Sequence, residues 1–133
     1  MKRAIFIAAL SLATSAHAGE LVMHATSWHS RGEYCNQNAG LGYLSPSGWM
    51  AGAYRNSYDR PSAYAGGYAE WQVGPVKVGG IVVLATGYGA PRPLSAAMVS
   101  LPLVGDTHLR VLVAPKLGGD GATVVHGMIG VPW

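Results

Sequence analysis

After residue 18, glycines, prolines and polar clusters interrupt the chain at short intervals, and no stretch repeats its apolar residues at helical spacing. Strands are expected near 20–29, 38–45, 49–57, 62–73, 76–86, 94–103, 107–114 and 121–133. The connections fall at 30–37, Ser45-Pro46-Ser47-Gly48, 58–61, Gly74-Pro75, 87–93, Gly105-Asp106 and 115–120. Eight strands of ~10 residues use about 80 positions and leave about five for each connection, the proportions of a minimal membrane barrel.

Alternation separates two faces. Along 62–71, Tyr64, Tyr68 and Glu70 share one parity, while Ala63, Ala65, Gly67, Ala69 and Trp71 share the other. In the last strand Val125, Ile129, Val131 and Trp133 oppose Val124, His126, Met128 and Pro132, a softer division. Taking the small residues of the fourth strand as its inward parity leaves room in the lumen for one slender ligand. The same glycines could instead relieve crowding in a tightly curved wall.

Composition narrows the setting. Lys2 and Arg3, an apolar run from Ala4 to Ala13, and Ala16-His17-Ala18 form the pattern of a secretory signal peptide over 1–18, leaving one domain over 19–133. That domain carries a net charge near +1, which gives no support to a nucleic-acid partner. Cys35 is the single cysteine, so no internal disulfide is available, and it is read as a free thiol. Only 11% of residues are charged and 50% are hydrophobic, yet no apolar run past residue 18 approaches the roughly 20 residues of a spanning helix. Apolar surface must therefore be spread over strands. Eleven of the twelve aromatic residues are Trp or Tyr, the rings favoured at a membrane–water boundary, and the chain ends on Trp133. The expected fold is all-β: a small eight-stranded antiparallel up-and-down outer-membrane β-barrel, with a soluble carrier barrel less favoured.

With both termini on the periplasmic side, the first and third strands run outward and end near Trp28-His29 and Asn56-Ser57. The connection over 87–93 reaches the same rim. His29, Arg31, Asn56, Ser57, Arg60, Tyr88 and Arg92 are thereby expected to converge on the external face. His24, His108 and His126 lack metal-ligand spacing and are read as structural; no metal or cofactor is expected.

The stretches "SWHSRGEY", "NAGLGYLS", "GWMAGAYRNSYDRPSAYAGGYAEW" and "VGGIVVLATGYGAPRPLSAAMVSLPLV", in that order, resemble the lipid A palmitoyltransferases of Gram-negative outer membranes, the PagP family. The resemblance runs from about residue 25 to 104. It implies a barrel with an acyl-chain pocket that moves a palmitoyl group from a glycerophospholipid to lipid A. Trp28-His29 is similar to the family's Trp-His pair, where the histidine is catalytic, and Asn56-Ser57 lies where the family has a catalytic Asp-Ser. Tyr88 through Leu94 is similar to its proline-rich turn, and Gly66-Gly67-Tyr68 to its glycine-rich pocket wall, with Ala69 in place of a further small glycine.

The chain departs from the family in lacking the helix before the first strand, in several shorter loops and in Asn56, which cannot carry a carboxylate's charge. On this reading His29 is the general base, Asn56 orients it, and Ser57 positions the hydroxyl or helps stabilise the oxyanion. Arg31, Arg60 and Arg92 bind lipid phosphates, and Gly67, Tyr68, Ala69 and Tyr88 border the acyl chain. The protein is expected to act as a monomer in the outer membrane. The alternative is a catalytically inactive barrel that serves as a surface interaction or membrane-modifying protein.

Overall fold

The computed structural model describes residues 19–116 and 121–133; the leader expected over 1–18 lies outside them. The strands are β1 (Glu20–His29), β2 (Gln37–Leu44), β3 (Trp49–Arg55), β4 (Pro61–Val73), β5 (Val76–Ala85), β6 (Arg92–Pro102), β7 (His108–Ala114) and β8 (Val124–Pro132). Each pairs antiparallel with the next, and β1 pairs with β8, closing an eight-stranded barrel. The expected strands are all present, displaced by no more than three residues at their ends.

The connections differ between the two ends. At the end that carries both termini the turns are short. One is the two-residue Gly74-Pro75 link, where Gly74 adopts φ 58°, the left-handed value that tight hairpins require. At the opposite end the connections over 30–36, 86–91 and 115–123 are longer, and that over 56–60 equals the longest of the terminal end, 103–107; 117–120 lie outside the described residues.

Outward positions form an apolar belt that includes Met23, Leu41, Val82, Leu84, Leu101, Val113 and Val131, all exposed. Tyr43, Trp49, Trp71 and Trp133 ring the terminal end, and Trp28 stands on the outside near the loop end. A belt flanked by amphipathic rings is what a barrel wall presents to lipid.

Burial fixes the parity, and it corrects one expectation. In β4 the inward residues are Ser62, Tyr64, Gly66, Tyr68 and Glu70, while Ala63, Ala65, Gly67, Ala69 and Trp71 face outward. The small-residue parity therefore belongs to the outer surface, and the large residues fill the lumen. Inward glycines instead relieve crowding. A Cβ on Gly66 would overlap the Val82 carbonyl of β5, one on Gly40 the Ala53 carbonyl, and one on Gly79 the Ala69 carbonyl.

The lumen is filled in layers. Nearest the termini, Arg110 is 1% exposed and is gripped by two carboxylates. Its Nε and Nη2 donate to Glu20 at 2.8 and 2.6 Å, and its Nη1 donates to Glu70 at 2.8 Å and to Ser100 Oγ at 2.7 Å. Lys77 approaches Glu70 at 3.7 Å, so the two cations and two anions balance. Gly130 has no side chain because the Glu20 carboxylate occupies that space. Above this plug, Val22, Leu44, Met50, Ile81, Val83, Met98, Leu112 and Met128 form the apolar core. Beyond the core, toward the long loops, the lumen opens.

Candidate functional site

A cavity of about 640 Å³ occupies the loop half of the barrel. Its floor is apolar, with Met50, Ile81, Val83, Leu112 and Met128, and its upper wall carries His24, Ser27, His29, Asn38, Tyr54, Tyr88 and His126. Its size falls in the range of about 300–1,000 Å³ usual for small-ligand sites.

A register irregularity in β1 aims three of these groups. Strict alternation from His24 would turn Ser27 and His29 outward. Pairing shifts between His24 and Thr26 on both neighbouring strands, and Ala25 and Thr26 both face out. Across this stretch β1 uses four residues, His24 to Ser27, where β8 uses three, Met128 to His126. His24, Ser27 and His29 consequently all face the lumen, the re-aiming of side chains that β-bulges provide.

His29 Nδ1 lies 2.8 Å from Asn36 Oδ1, and its ring packs on Tyr34 with centroids 4.6 Å apart. An amide oxygen only accepts, so Nδ1–H is the donor to Asn36, and in the neutral ring the lone pair is then on Nε2. The histidine thus has an orienting partner, and that partner is Asn36 on the loop before β2.

Asn56 is fully buried and does different work from that expected. Its Nδ2 donates to Ser62 Oγ and to the Gly87 carbonyl, both at 2.9 Å. Its Oδ1 accepts from the backbone N–H of Tyr58 at 2.9 Å and of Arg60 at 3.1 Å. Both ends of the amide are occupied in holding the 56–60 loop, within which Asp59 takes φ 58°. A carboxylate would face the Gly87 carbonyl with no proton to give, so the amide is required here. Catalytic orientation of His29 by Asn56 is replaced by an Asx-turn role.

The other expected site residues divide. Ser57, Tyr88 and Arg92 line the cavity, with the Arg92 guanidinium 5.2 Å above the Tyr88 ring. Tyr88 OH lies 2.7 Å from Tyr54 OH, and burial together with this bond pushes the Tyr88 hydroxyl pKa up. Arg60 joins Ser57, Tyr88 and Arg92 around a shallow outer depression with Glu33 and Asp59. Arg31 donates from Nε to the Gly121 carbonyl at 3.0 Å and ties the first loop to the last, away from the cavity wall. Gly67 and Ala69 face outward, so neither borders the lumen. Tyr68 faces inward near the opposite end, where its hydroxyl donates to the Ser45 carbonyl at 2.5 Å. These three therefore leave the set of pocket residues.

Nothing in the sequence marks Asn36, Ser27 or Tyr54 as site groups, and His24 and His126, expected to be structural, line the cavity as well. Ser27 Oγ, His126, His24 and Tyr64 OH form a continuous hydrogen-bonded row at 2.7, 2.8 and 2.9 Å. Asn38, 2% exposed, donates from Nδ2 to the Arg55 carbonyl at 2.8 Å, while its Oδ1 has no protein partner.

The cavity also reaches the barrel wall. The β6–β7 ladder runs only from Ala97↔Val113 to Pro102↔His108, so among the described residues Arg92–Ala96 pair with β5 alone. Pro93 and Ser95, on the outward parity of β6, line the cavity together with Ala114 and Pro115. Outward-facing residues border an internal space where the wall is open, as it is here among the described residues, and neither proline has an N–H with which to pair. No protein-family model matches the chain, and no curated protein matches it.

Proposed function

We propose that the protein is an outer-membrane acyltransferase that takes an acyl chain from a glycerophospholipid and places it on lipid A. One observation carries this reading: the cavity of about 640 Å³ has an apolar floor, an imidazole and hydroxyls at its mouth, and an opening through the wall beside β6. The floor suits an acyl chain, and the open seam suits its passage from the bilayer. The apolar belt and aromatic rings support a membrane setting, and the resemblance of "SWHSRGEY" and the segments after it to lipid A palmitoyltransferases supports the substrate class.

In this mechanism His29, its Nδ1 proton fixed on Asn36, takes the proton of the acceptor hydroxyl at Nε2 as the new ester forms. Ser57 borders the same space, and Arg92 at the mouth offers a planar donor set for a lipid phosphate.

Mass spectrometry of lipid A from cells producing the protein tests the reading. An added acyl mass is expected, and it should be lost in His29→Ala while heat-modifiable folding persists. Unmodified lipid A across several acceptor backgrounds would overturn it. That negative result would favour the inactive-barrel alternative, which draws support from the separation of Asn56 from His29.

A further inference from the structure

Deeper in the cavity lies a row of groups that the His29 mechanism leaves unused. Ser27 Oγ is 2.7 Å from His126 Nδ1, His126 Nε2 is 2.8 Å from His24 Nδ1, and His24 Nε2 is 2.9 Å from Tyr64 OH. The β1 irregularity puts Ser27 directly opposite His126 across the β1–β8 ladder, and His24, opposite Met128, reaches the same imidazole diagonally. Tyr54 stacks on His24 with ring centroids 5.3 Å apart, so the second imidazole is held by contacts at its face as well as at both nitrogens. All of these residues line the cavity.

The row has a polarity that can be used. With Ser27 donating to His126 Nδ1, His126 Nε2–H donates to His24 Nδ1 and His24 Nε2–H to the Tyr64 oxygen, and both rings are neutral. The opposite direction satisfies the same bonds, but only the first leaves a base facing the serine proton. A hydroxyl, an imidazole and a third group that orients that imidazole make up the nucleophilic triad, here with a histidine in the place of a carboxylate.

We infer that Ser27 is a nucleophile that carries the acyl group as a covalent ester, with His126 as its general base and His24 as the positioning residue. The acyl-lipid substrate class rests on the function proposed above; the reactivity of the serine does not. In the first half-reaction Ser27 Oγ attacks the donor carbonyl and its proton passes to His126 Nδ1. The bond from the acyl carbon to the donor oxygen breaks, and His126 returns the proton to that oxygen as the lysolipid leaves. In the second half an acceptor hydroxyl attacks the acyl-Ser27 carbonyl while His29 Nε2 takes its proton. The bond from Ser27 Oγ to the acyl carbon breaks, and that proton ends on Ser27 Oγ. The apolar floor below holds the chain throughout.

The test is labelling of the full-length folded barrel in detergent micelles with a long-chain alkyl fluorophosphonate, followed by peptide mapping of the adduct. One phosphonyl group on Ser27 is expected, and it should be absent in Ser27→Ala of unchanged heat-modifiable mobility. His126→Gln should slow labelling by about 10²–10⁴-fold, the usual loss of a general base. His24→Leu should slow it by about 10²-fold and displace the acid limb of its pH–rate profile, whereas His24→Gln, whose amide oxygen still accepts from His126, should recover about tenfold; a merely structural role would leave the limb in place. A folded wild-type barrel that stays unlabelled, or that is labelled equally in Ser27→Ala, overturns the inference. Lipid A acylation that persists in Ser27→Ala also overturns it while leaving the transferase reading intact. A labelled Ser27 without lipid A acylation keeps the nucleophile and removes the transferase reading.

Discussion

The two ends of the lumen are both polar, yet they are built to opposite purposes. Around Arg110, every hydrogen-bonding arm is matched to Glu20, Glu70 or Ser100, and the group is packed so tightly that Gly130 must lack a side chain. Around Ser27 and His29, the polar atoms are also hydrogen-bonded, but they border about 640 Å³ of free volume. A polar group that is satisfied and enclosed holds a fold together. One that is satisfied on one side and open on the other is available for chemistry.

The largest expected effect lies in the enclosed end. Arg110→Met leaves Glu20 and Glu70 facing each other without their common partner, and should cost about 3–5 kcal/mol. The check is the midpoint of guanidinium unfolding, followed by loss of heat-modifiable mobility. The triple change Arg110→Met, Glu20→Gln and Glu70→Gln should recover most of that loss, because no buried carboxylate is left unpaired and the one remaining charge, Lys77, is one-third exposed to solvent. Failure to recover would mean that the ions themselves, and not their mutual satisfaction, hold this end.

Between the ends, the wall parity can be tested with two adjacent glycines. Gly66→Ala drives a methyl against the β5 backbone and should cost about 2 kcal/mol. Gly67→Ala places its methyl outside, 3.5 Å from the nearest carbonyl oxygen, and should leave the same unfolding midpoint unchanged. Equal effects would reverse the assignment of inner and outer faces.

At the open end, Asn56→Asp removes donors to Ser62 Oγ and the Gly87 carbonyl, and should lower stability by about 1–2 kcal/mol without raising acyl transfer. A gain in transfer would restore the catalytic reading of this position. The smallest effect concerns Asp59. Its bond to Arg55 holds its carboxyl below the usual carboxylate range, so the contribution is present above the unfolded carboxyl pKa near 4 and fades as pH falls through the lower folded value. Both groups are exposed, so Arg55→Gln should flatten only slightly the acid side of a pH–stability curve measured by unfolding midpoints.

The strand count and the closing pattern were legible because turn residues mark nearly every hairpin, including Gly74-Pro75. The rim position of His29, Ser57, Tyr88 and Arg92 was legible too, since it follows from strand direction alone. Parity in β4 was harder to read: the alternating Tyr and Ala residues fit either face until the volume of the lumen is known. The Ser27–His126–His24 row was hidden twice over. Its members come together only when β1 closes against β8, about a hundred residues away in sequence, and the irregularity at Ala25 defeats alternation at the strand that carries two of them. Asn56 misled for a related reason, because the family resemblance implied a partner for His29 whereas its four side-chain hydrogen bonds are all local to neighbouring loops and strands.

The Arg110 plug and the apolar layer above it have a further consequence, for permeability. A barrel whose lumen is shut at the terminal end offers no continuous water column, so placed in a bilayer it conducts neither ions nor solutes. A planar bilayer into which the purified barrel has been reconstituted should stay electrically silent.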